Sequence, residues 1–105
     1  NAPLAFHSSN LTSPVVSEQL DSVQALFDME TEEAAFLAIE GCASVHPEVR
    51  TYTLKRMEKI YQDSMRNSLL RLYRDADESI RIQVFRFIKK NGEIKNKLLI
   101  LTFIN

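Results

Sequence analysis

The chain has 105 residues, 13 of them basic and 14 acidic, and its formal net charge is −1. An apolar fraction of 45% beside 26% charged residues is ordinary for a globular domain and argues against disorder over the whole length. Only two glycines and three prolines occur, and so few helix breakers favour an all-α chain.

The first twelve residues are polar and aperiodic, which predicts a flexible lead-in or a cloning remnant. A helical domain is expected over residues 13–105, as a fragment of a longer chain. Ser13 and Pro14 have the pattern of an N-cap and a first helical residue, so the first helix is predicted to begin there. Its apolar residues recur at helical spacing: Val16, Leu20, Val23, Leu26 and Phe27.

The second and third helices are predicted from their first residues. Thr31 is the expected cap of the second, whose apolar side is Ala35, Phe36, Ala38, Ile39 and Cys42. Gly41 is unfavourable inside this helical window. Pro47 begins the third helix, and its apolar stripe is Val49, Thr53, Met57 and Ile60.

Two aspartates are the expected caps of the next helices, Asp63 for the fourth and Asp77 for the fifth. The fifth helix carries Ile80, Val84, Phe85, Phe87 and Ile88 and stops at Asn91-Gly92. A sixth helix is predicted from about Glu93. It is apolar on all sides, so either more chain follows or its surface docks on a partner or a second copy. The candidate contacts there are Leu98, Leu99 and Phe103.

A short pattern occurs twice, over residues 46–50 and 77–81, so that Val49 in the first copy corresponds to Ile80 in the second. The same offset pairs Arg50 with Arg81 and Met57 with Ile88, which defines a 31-residue period. Self-similarity of this kind is typical of stacked helix pairs, each of which buries its apolar face only against its neighbours. We therefore predict roughly three helix pairs, the first of them degenerate.

A helix, a turn with Asp or Pro, an aliphatic residue, an arginine and a second amphipathic helix resemble the HEAT and armadillo-like repeat family. The residues that carry the resemblance are Pro47, Val49, Arg50, Asp77, Ile80 and Arg81. The resemblance implies a right-handed stack of antiparallel helix pairs, about six helices in all. It also implies that Pro47 and Asp77 start second helices, and that Arg50 and Arg81 are structural residues between repeats.

Charge is divided unevenly along the chain. Residues 1–53 hold eight acidic residues against Arg50 alone, whereas residues 54–105 hold twelve basic and six acidic residues. This asymmetry predicts an acidic and a basic end that steer a charged partner or a head-to-tail neighbour, and solvated helix faces remain the alternative. The candidate partner contacts are Glu32, Glu33, Glu40, Arg81, Arg86 and Lys90.

Nothing in the sequence indicates catalysis, a metal or a cofactor. His7 and His46 have no ligand at metal-binding spacing, and the acidic turn at residues 75–78 lacks the glycine and closing glutamate of a calcium loop. The lone Cys42 cannot form an internal disulfide, and a single thiol fits a reducing, cytoplasmic setting. No nucleophile signature or phosphate loop occurs either.

The sequence therefore predicts a non-catalytic helical-repeat module that mediates protein–protein interaction or assembly within a larger protein. Two alternatives stay open. One is nucleic-acid binding through the basic second half, although a whole-chain pI near 6.1 speaks against it. The other is a soluble regulatory domain of a membrane protein or an enzyme. The apolar run from Leu98 to Ile104 is far shorter than the ~20 residues of a membrane span, but it runs up to the end of the sequence, where a longer chain would extend it.

Overall fold

The structure, a computed structural model, describes residues 2–91, and within that range it contains six α-helices and no strand. The helices are α1 (Ala2–Asn10), α2 (Val16–Asp28), α3 (Glu32–Ala38), α4 (Pro47–Ile60), α5 (Arg66–Tyr73) and α6 (Glu78–Lys90). A 3-10 turn follows α3 at Ile39–Ala43, and another precedes α5 at Asp63–Met65. The all-helical prediction is confirmed for these residues, and the sixth helix expected from about Glu93 lies outside them.

The first compact unit ends at Tyr61 and contains α1 to α4. Its centre is α2, which packs against the other three helices, while α1 also contacts α3. The buried side of α2 follows from helical spacing, because Val23, Leu26 and Phe27 return to one face. They form one apolar cluster with Ala34, Ala38 and Val49.

The second compact unit starts at Gln62, and its described helices are α5 and α6, which pack against each other. On α6 the buried residues recur at three- and four-residue steps, as an amphipathic helix requires. Among residues 62–91 the buried apolar side chains are Met65, Leu69, Leu72, Ile80, Val84, Phe87 and Ile88.

The largest departure from the sequence prediction is α1, since residues 2–10 are helical where an aperiodic lead-in was expected. This helix packs on α2, Leu4 lies against the apolar cluster, and His7 Nδ1 lies 3.1 Å from Ser22 Oγ. The tertiary contacts thus compensate for a weak helical pattern. Helix α1 belongs to the first compact unit.

Three predicted helix starts are confirmed and two are displaced. Pro47 is the first residue of α4, Thr31 Oγ1 accepts the Ala34 N–H at 3.1 Å, and Asp77 Oδ1 accepts the Ser79 N–H at 2.9 Å. In contrast, α2 begins at Val16 rather than at Pro14, and the predicted cap Asp63 lies inside a 3-10 turn. Serine and aspartate favour turns as well as caps, so the pattern alone left these positions ambiguous.

Two phenylalanines assigned to apolar stripes lie on the surface instead. Phe36 on α3 is 71% exposed and Phe85 on α6 is 54% exposed. Ile60, at the end of the predicted stripe of α4, is also exposed. Conversely, Gly41 is buried in the 3-10 turn after α3, where a Cβ would overlap Thr53 Oγ1. Gly41 disfavours a helix, but the absence of a Cβ allows this turn to lie close to α4.

Candidate interaction surfaces

The three longest helices of the described range begin with the same hydrogen-bonded turn, here called the capping turns at residues 13–16, 44–47 and 75–78. In each, the first side chain accepts the backbone N–H two residues later. The three donor–acceptor distances are 3.1 Å for Val15 N to Ser13 Oγ, 3.1 Å for His46 N to Ser44 Oγ and 2.8 Å for Asp77 N to Asp75 Oδ1. Such Asx- and Ser-turns fix the chain direction immediately before a helix.

The backbone conformation of the capping turns is also the same. The residue before each helix has φ and ψ of −92° and 117° at Val15, −96° and 119° at His46, and −86° and 117° at Asp77. The helices α2, α4 and α6 therefore start at one constant interval, at Val16, Pro47 and Glu78, which is the period of the sequence repeat. His46 occupies the predicted N-cap position, but its side chain makes no capping hydrogen bond.

A long polar side chain closes each capping turn from six residues further along. Arg50 Nη1 donates to the Ser44 carbonyl at 2.9 Å, and Arg81 Nη1 donates to the Asp75 carbonyl at 2.6 Å and to the Ala76 carbonyl at 3.1 Å. Gln19 Nε2 donates to the Ser13 carbonyl in the same way. These bonds place the predicted structural arginines in their own turns.

Gln19 was missed by the sequence reasoning, although it joins two capping turns. It is buried and accepts a hydrogen bond from Ser44 Oγ at 2.6 Å while it donates to the first turn. The sequence contains a pattern that could have indicated these turns, because Ser13, Ser44 and Asp75 are spaced at the same interval as the helix starts. The repeated pattern over residues 46–50 and 77–81 does not include these positions.

The outer side of α6 carries an apolar and basic surface, here called the α6 patch. It consists of Ile82, Phe85, Arg86, Lys89 and Lys90, all exposed. These positions lie on one side of the helix, opposite the buried stripe through Ile80, Val84 and Ile88. No acidic residue occurs between Ser79 and Lys90, so the patch has charge of one sign.

A second surface, here called the α3 patch, has the opposite charge. Glu32, Glu33, Phe36 and Glu40 are exposed along one side of α3 and the turn after it, opposite buried Ala34 and Ala38. The first basic residue of the chain is Arg50, so no cation accompanies these acids in sequence. The structure thus groups three predicted partner contacts around an exposed aromatic ring.

The remaining predicted partner contacts divide into two sets. Arg86 and Lys90 belong to the α6 patch, whereas Arg81 is half-buried and hydrogen-bonded within its capping turn. Leu98, Leu99 and Phe103 lie outside the described residues. The acidic contacts thus belong to the first compact unit, and the basic contacts belong to the second.

A third cluster is structural and centres on Arg56 of α4. Its guanidinium donates to Tyr52 Oη at 2.7 Å and to Asp28 Oδ1 at 2.8 Å, and its Cζ lies 5.2 Å from the centroid of the Phe27 ring. The hydrogen bond to Asp28 raises the pKa of Arg56 above its ordinary value, against a smaller opposing effect of burial. The cluster joins α2 to α4.

Across residues 2–91, no group of three or more His, Cys, Asp or Glu side chains is arranged to hold a metal ion. In the same range no helix combines the length and the apolar character that crossing a membrane demands. Comparisons with protein-family models, curated proteins and solved structures found no match to this chain.

Proposed function

We propose that this chain is a non-catalytic module of stacked, antiparallel helix pairs, similar to HEAT and armadillo repeats, that binds a protein partner within a larger protein. The observation that carries the proposal is the periodic recurrence of one capping turn, with matching dihedral angles and hydrogen bonds. The contacts of α1 with α3 and of α2 with α4 in the first unit also support it, because stacked pairs place equivalent helices side by side.

The stacking can be tested through one register-equivalent pair. Gln19 meets Ser44 across successive capping turns, and one period later the same positions are Arg50 and Asp75. In a regular stack these two residues are coupled. The substitutions Arg50→Gln and Asp75→Ser are conservative, since they install the residues found one period earlier in the chain.

Chemical denaturation of the two single variants and the double variant gives the coupling energy directly. Residues in one hydrogen-bonded network typically couple by about 0.5–3 kcal/mol, whereas distant sites add to within roughly 0.3–0.5 kcal/mol. Coupling above about 0.5 kcal/mol is expected. Additive effects would contradict a regular stack, and the cycle of Gln19→Ala with Ser44→Ala serves as a positive control for the method.

For partner binding we propose the α6 patch, which presents an aromatic and an aliphatic side chain followed along the helix by three cations. This chemistry fits an acidic amphipathic helix, whose apolar face covers Phe85 while its carboxylates meet Arg86 and Lys89. Phe85 is in register with Val23 and Leu54, both fully buried, so a covered aromatic fits the pattern of the preceding helices.

A labelled acidic amphipathic peptide, followed by fluorescence anisotropy, tests this surface. Phe85→Ser is expected to weaken binding by at least about tenfold, because removal of a central aromatic anchor typically costs about 1–2 kcal/mol or more. The matched control is Ile60→Ser, an exposed apolar residue at the end of α4. Equal loss in both variants, or no binding by the native chain, would refute the assignment of the α6 patch.

Nucleic-acid binding is a second candidate, since one observation favours it. Six exposed basic residues are spread over α5 and α6 and the turn between them: Arg66, Arg71, Arg74, Arg86, Lys89 and Lys90. Binding through phosphates weakens steeply with salt and needs no aromatic anchor. Filter binding with Arg71→Ala/Arg74→Ala therefore separates the two functions, because this variant should lose nucleic acid while it retains the peptide.

A further inference from the structure

The α3 patch and the α6 patch are opposite in charge and each contains one exposed aromatic ring. Each centres on an exposed phenylalanine, 71% exposed for Phe36 and 54% for Phe85. Phe36 has Glu32 and Glu33 before it and Glu40 after it, and the exposed charges that accompany Phe85 are the cations that follow it along α6. The two surfaces are therefore complementary in charge and alike in apolar content.

The isolation of each charge sign strengthens this complementarity. No Lys or Arg occurs anywhere before Arg50, and no Asp or Glu occurs between Ser79 and Lys90. The α3 patch has no Lys or Arg on its own helix, and the one acidic residue of α6, Glu78, lies in the first turn, about two turns before Arg86. Like charges repel when two α3 patches or two α6 patches meet, so docking of one kind on the other is the favoured combination.

We propose that a second copy of this chain is the helix-presenting partner, with its α3 patch docked on the α6 patch of the first copy. This inference rests on the function proposed above for the α6 patch and names the occupant. In the contact, Phe36 of one copy packs beside Phe85 of the other, and Glu33 and Glu40 approach Arg86 and Lys89. Both phenylalanines lose water on docking, which drives the association.

The geometry of the contact has a consequence for assembly. The two surfaces differ, so the interface is heterologous, and an open assembly keeps one free α3 patch at one end and one free α6 patch at the other. Such contacts generate open head-to-tail chains or closed rings, the smallest of which is a reciprocal pair. The patches are small compared with a standard interface of about 1,600 Å², so weak association, at roughly 100 µM, is expected.

Sedimentation velocity at low salt, over a concentration series from about 10 µM to 1 mM, measures the association, and the range brackets that expected affinity. The weight-average sedimentation coefficient of the native chain is expected to rise with concentration. At about 0.5 M salt the rise should diminish, since surface charges are then largely screened. Absence of any rise over this range overturns the inference.

Two variants test which surfaces meet. Phe36→Ser/Glu40→Arg removes the α3 patch, and Phe85→Ser/Arg86→Glu removes the α6 patch. Each variant alone is expected to remain monomeric, whereas an equimolar mixture forms a 1:1 heterodimer that cannot extend. Restoration by mixing is specific to a heterologous contact, and failure of the mixture to associate overturns the proposed docking.

The controls use exposed charges outside both patches, with Lys59→Glu on α4 and Glu48→Arg in its first turn. These variants should associate as the native chain does, and circular dichroism verifies that every variant is folded. Self-association that persists in both patch variants but is lost in Leu98→Ser/Leu99→Ser would also overturn the inference. The acidic-peptide titration remains independent, because peptide binding to a strictly monomeric chain would leave the proposed function intact while the second copy is excluded.

Discussion

Helices α4 and α6 begin with the same kind of capping turn but differ in the burial of one equivalent side chain. Both follow a capping turn closed by an arginine, and the residue before each helix has nearly the same φ and ψ, −96° and 119° at His46 and −86° and 117° at Asp77. Yet Leu54 is fully buried, while Phe85, at the same position one period later, is 54% exposed. The start of a helix is thus a local property, whereas the burial of its side chains depends on which other elements pack against it.

Among the predictions, truncation of Leu54 should change the free energy of unfolding most, and truncation of Phe85 is its matched comparison. Leu54→Ala should lower the free energy of unfolding by about 2–5 kcal/mol, because it removes a fully buried side chain and leaves a cavity. Phe85→Ala should change it by less than about 1 kcal/mol, as is usual for surface positions. Urea denaturation followed by circular dichroism measures both. A large cost at Phe85 would show that its ring is covered in the isolated chain.

A second prediction concerns the close approach of α4 to the turn after α3. Gly41→Ala should destabilise the chain by about 1–3 kcal/mol, because the new Cβ would overlap Thr53 Oγ1 and lie 3.1 Å from Val23 Cγ2. Thermal unfolding of Gly41→Ala alone and combined with Thr53→Ala provides the check. Part of the loss should be recovered in the double variant, and purely additive losses would contradict the steric explanation.

The capping turns themselves give a third, smaller effect that is shared by both helices. Arg50→Ala and Arg81→Ala should each cost about 1 kcal/mol, because each leaves a backbone carbonyl of the turn without its charged donor. Arg86→Ala on the exposed side of α6 is the control and should be nearly neutral. Unchanged melting temperatures of the first two variants would contradict a structural role for Arg50 and Arg81.

The smallest effect is expected where α4 pairs with α2 at the surface. Asp28→Asn should cost about 0.3–1 kcal/mol, since its partner Arg56 lies near solvent, and high salt should reduce the difference. The pKa of Arg56 is raised in the folded state, so its contribution to stability is complete below the ordinary arginine pKa. It is lost only as the pH rises through the raised value. Between about pH 6 and 9 this contribution should therefore stay constant, which denaturation at several pH values can verify.

Local sequence patterns were enough to predict which strongly periodic segments are helices and where three of them begin. Thr31, Pro47 and Asp77 were readable because a cap or a first-turn proline satisfies or avoids unpaired backbone N–H groups locally. The interval between the starts of α4 and α6 was predictable for the same reason, because turn chemistry depends on neighbours only a few residues away. Most charged residues of the α3 and α6 patches could be predicted as partner contacts from the charge pattern. Their phenylalanines, in contrast, were predicted to lie on the buried sides of the helices.

Other features depend on tertiary contacts and could not be predicted from local sequence patterns. The helix α1 has a weak pattern of its own and is supported by its packing on α2, and Gly41 is explained only by the proximity of Thr53. Helical spacing places Phe36 and Phe85 on a helix side but does not state whether another element lies there. Burial depends on contacts between residues distant in sequence, so it follows from the assembled fold and not from periodicity.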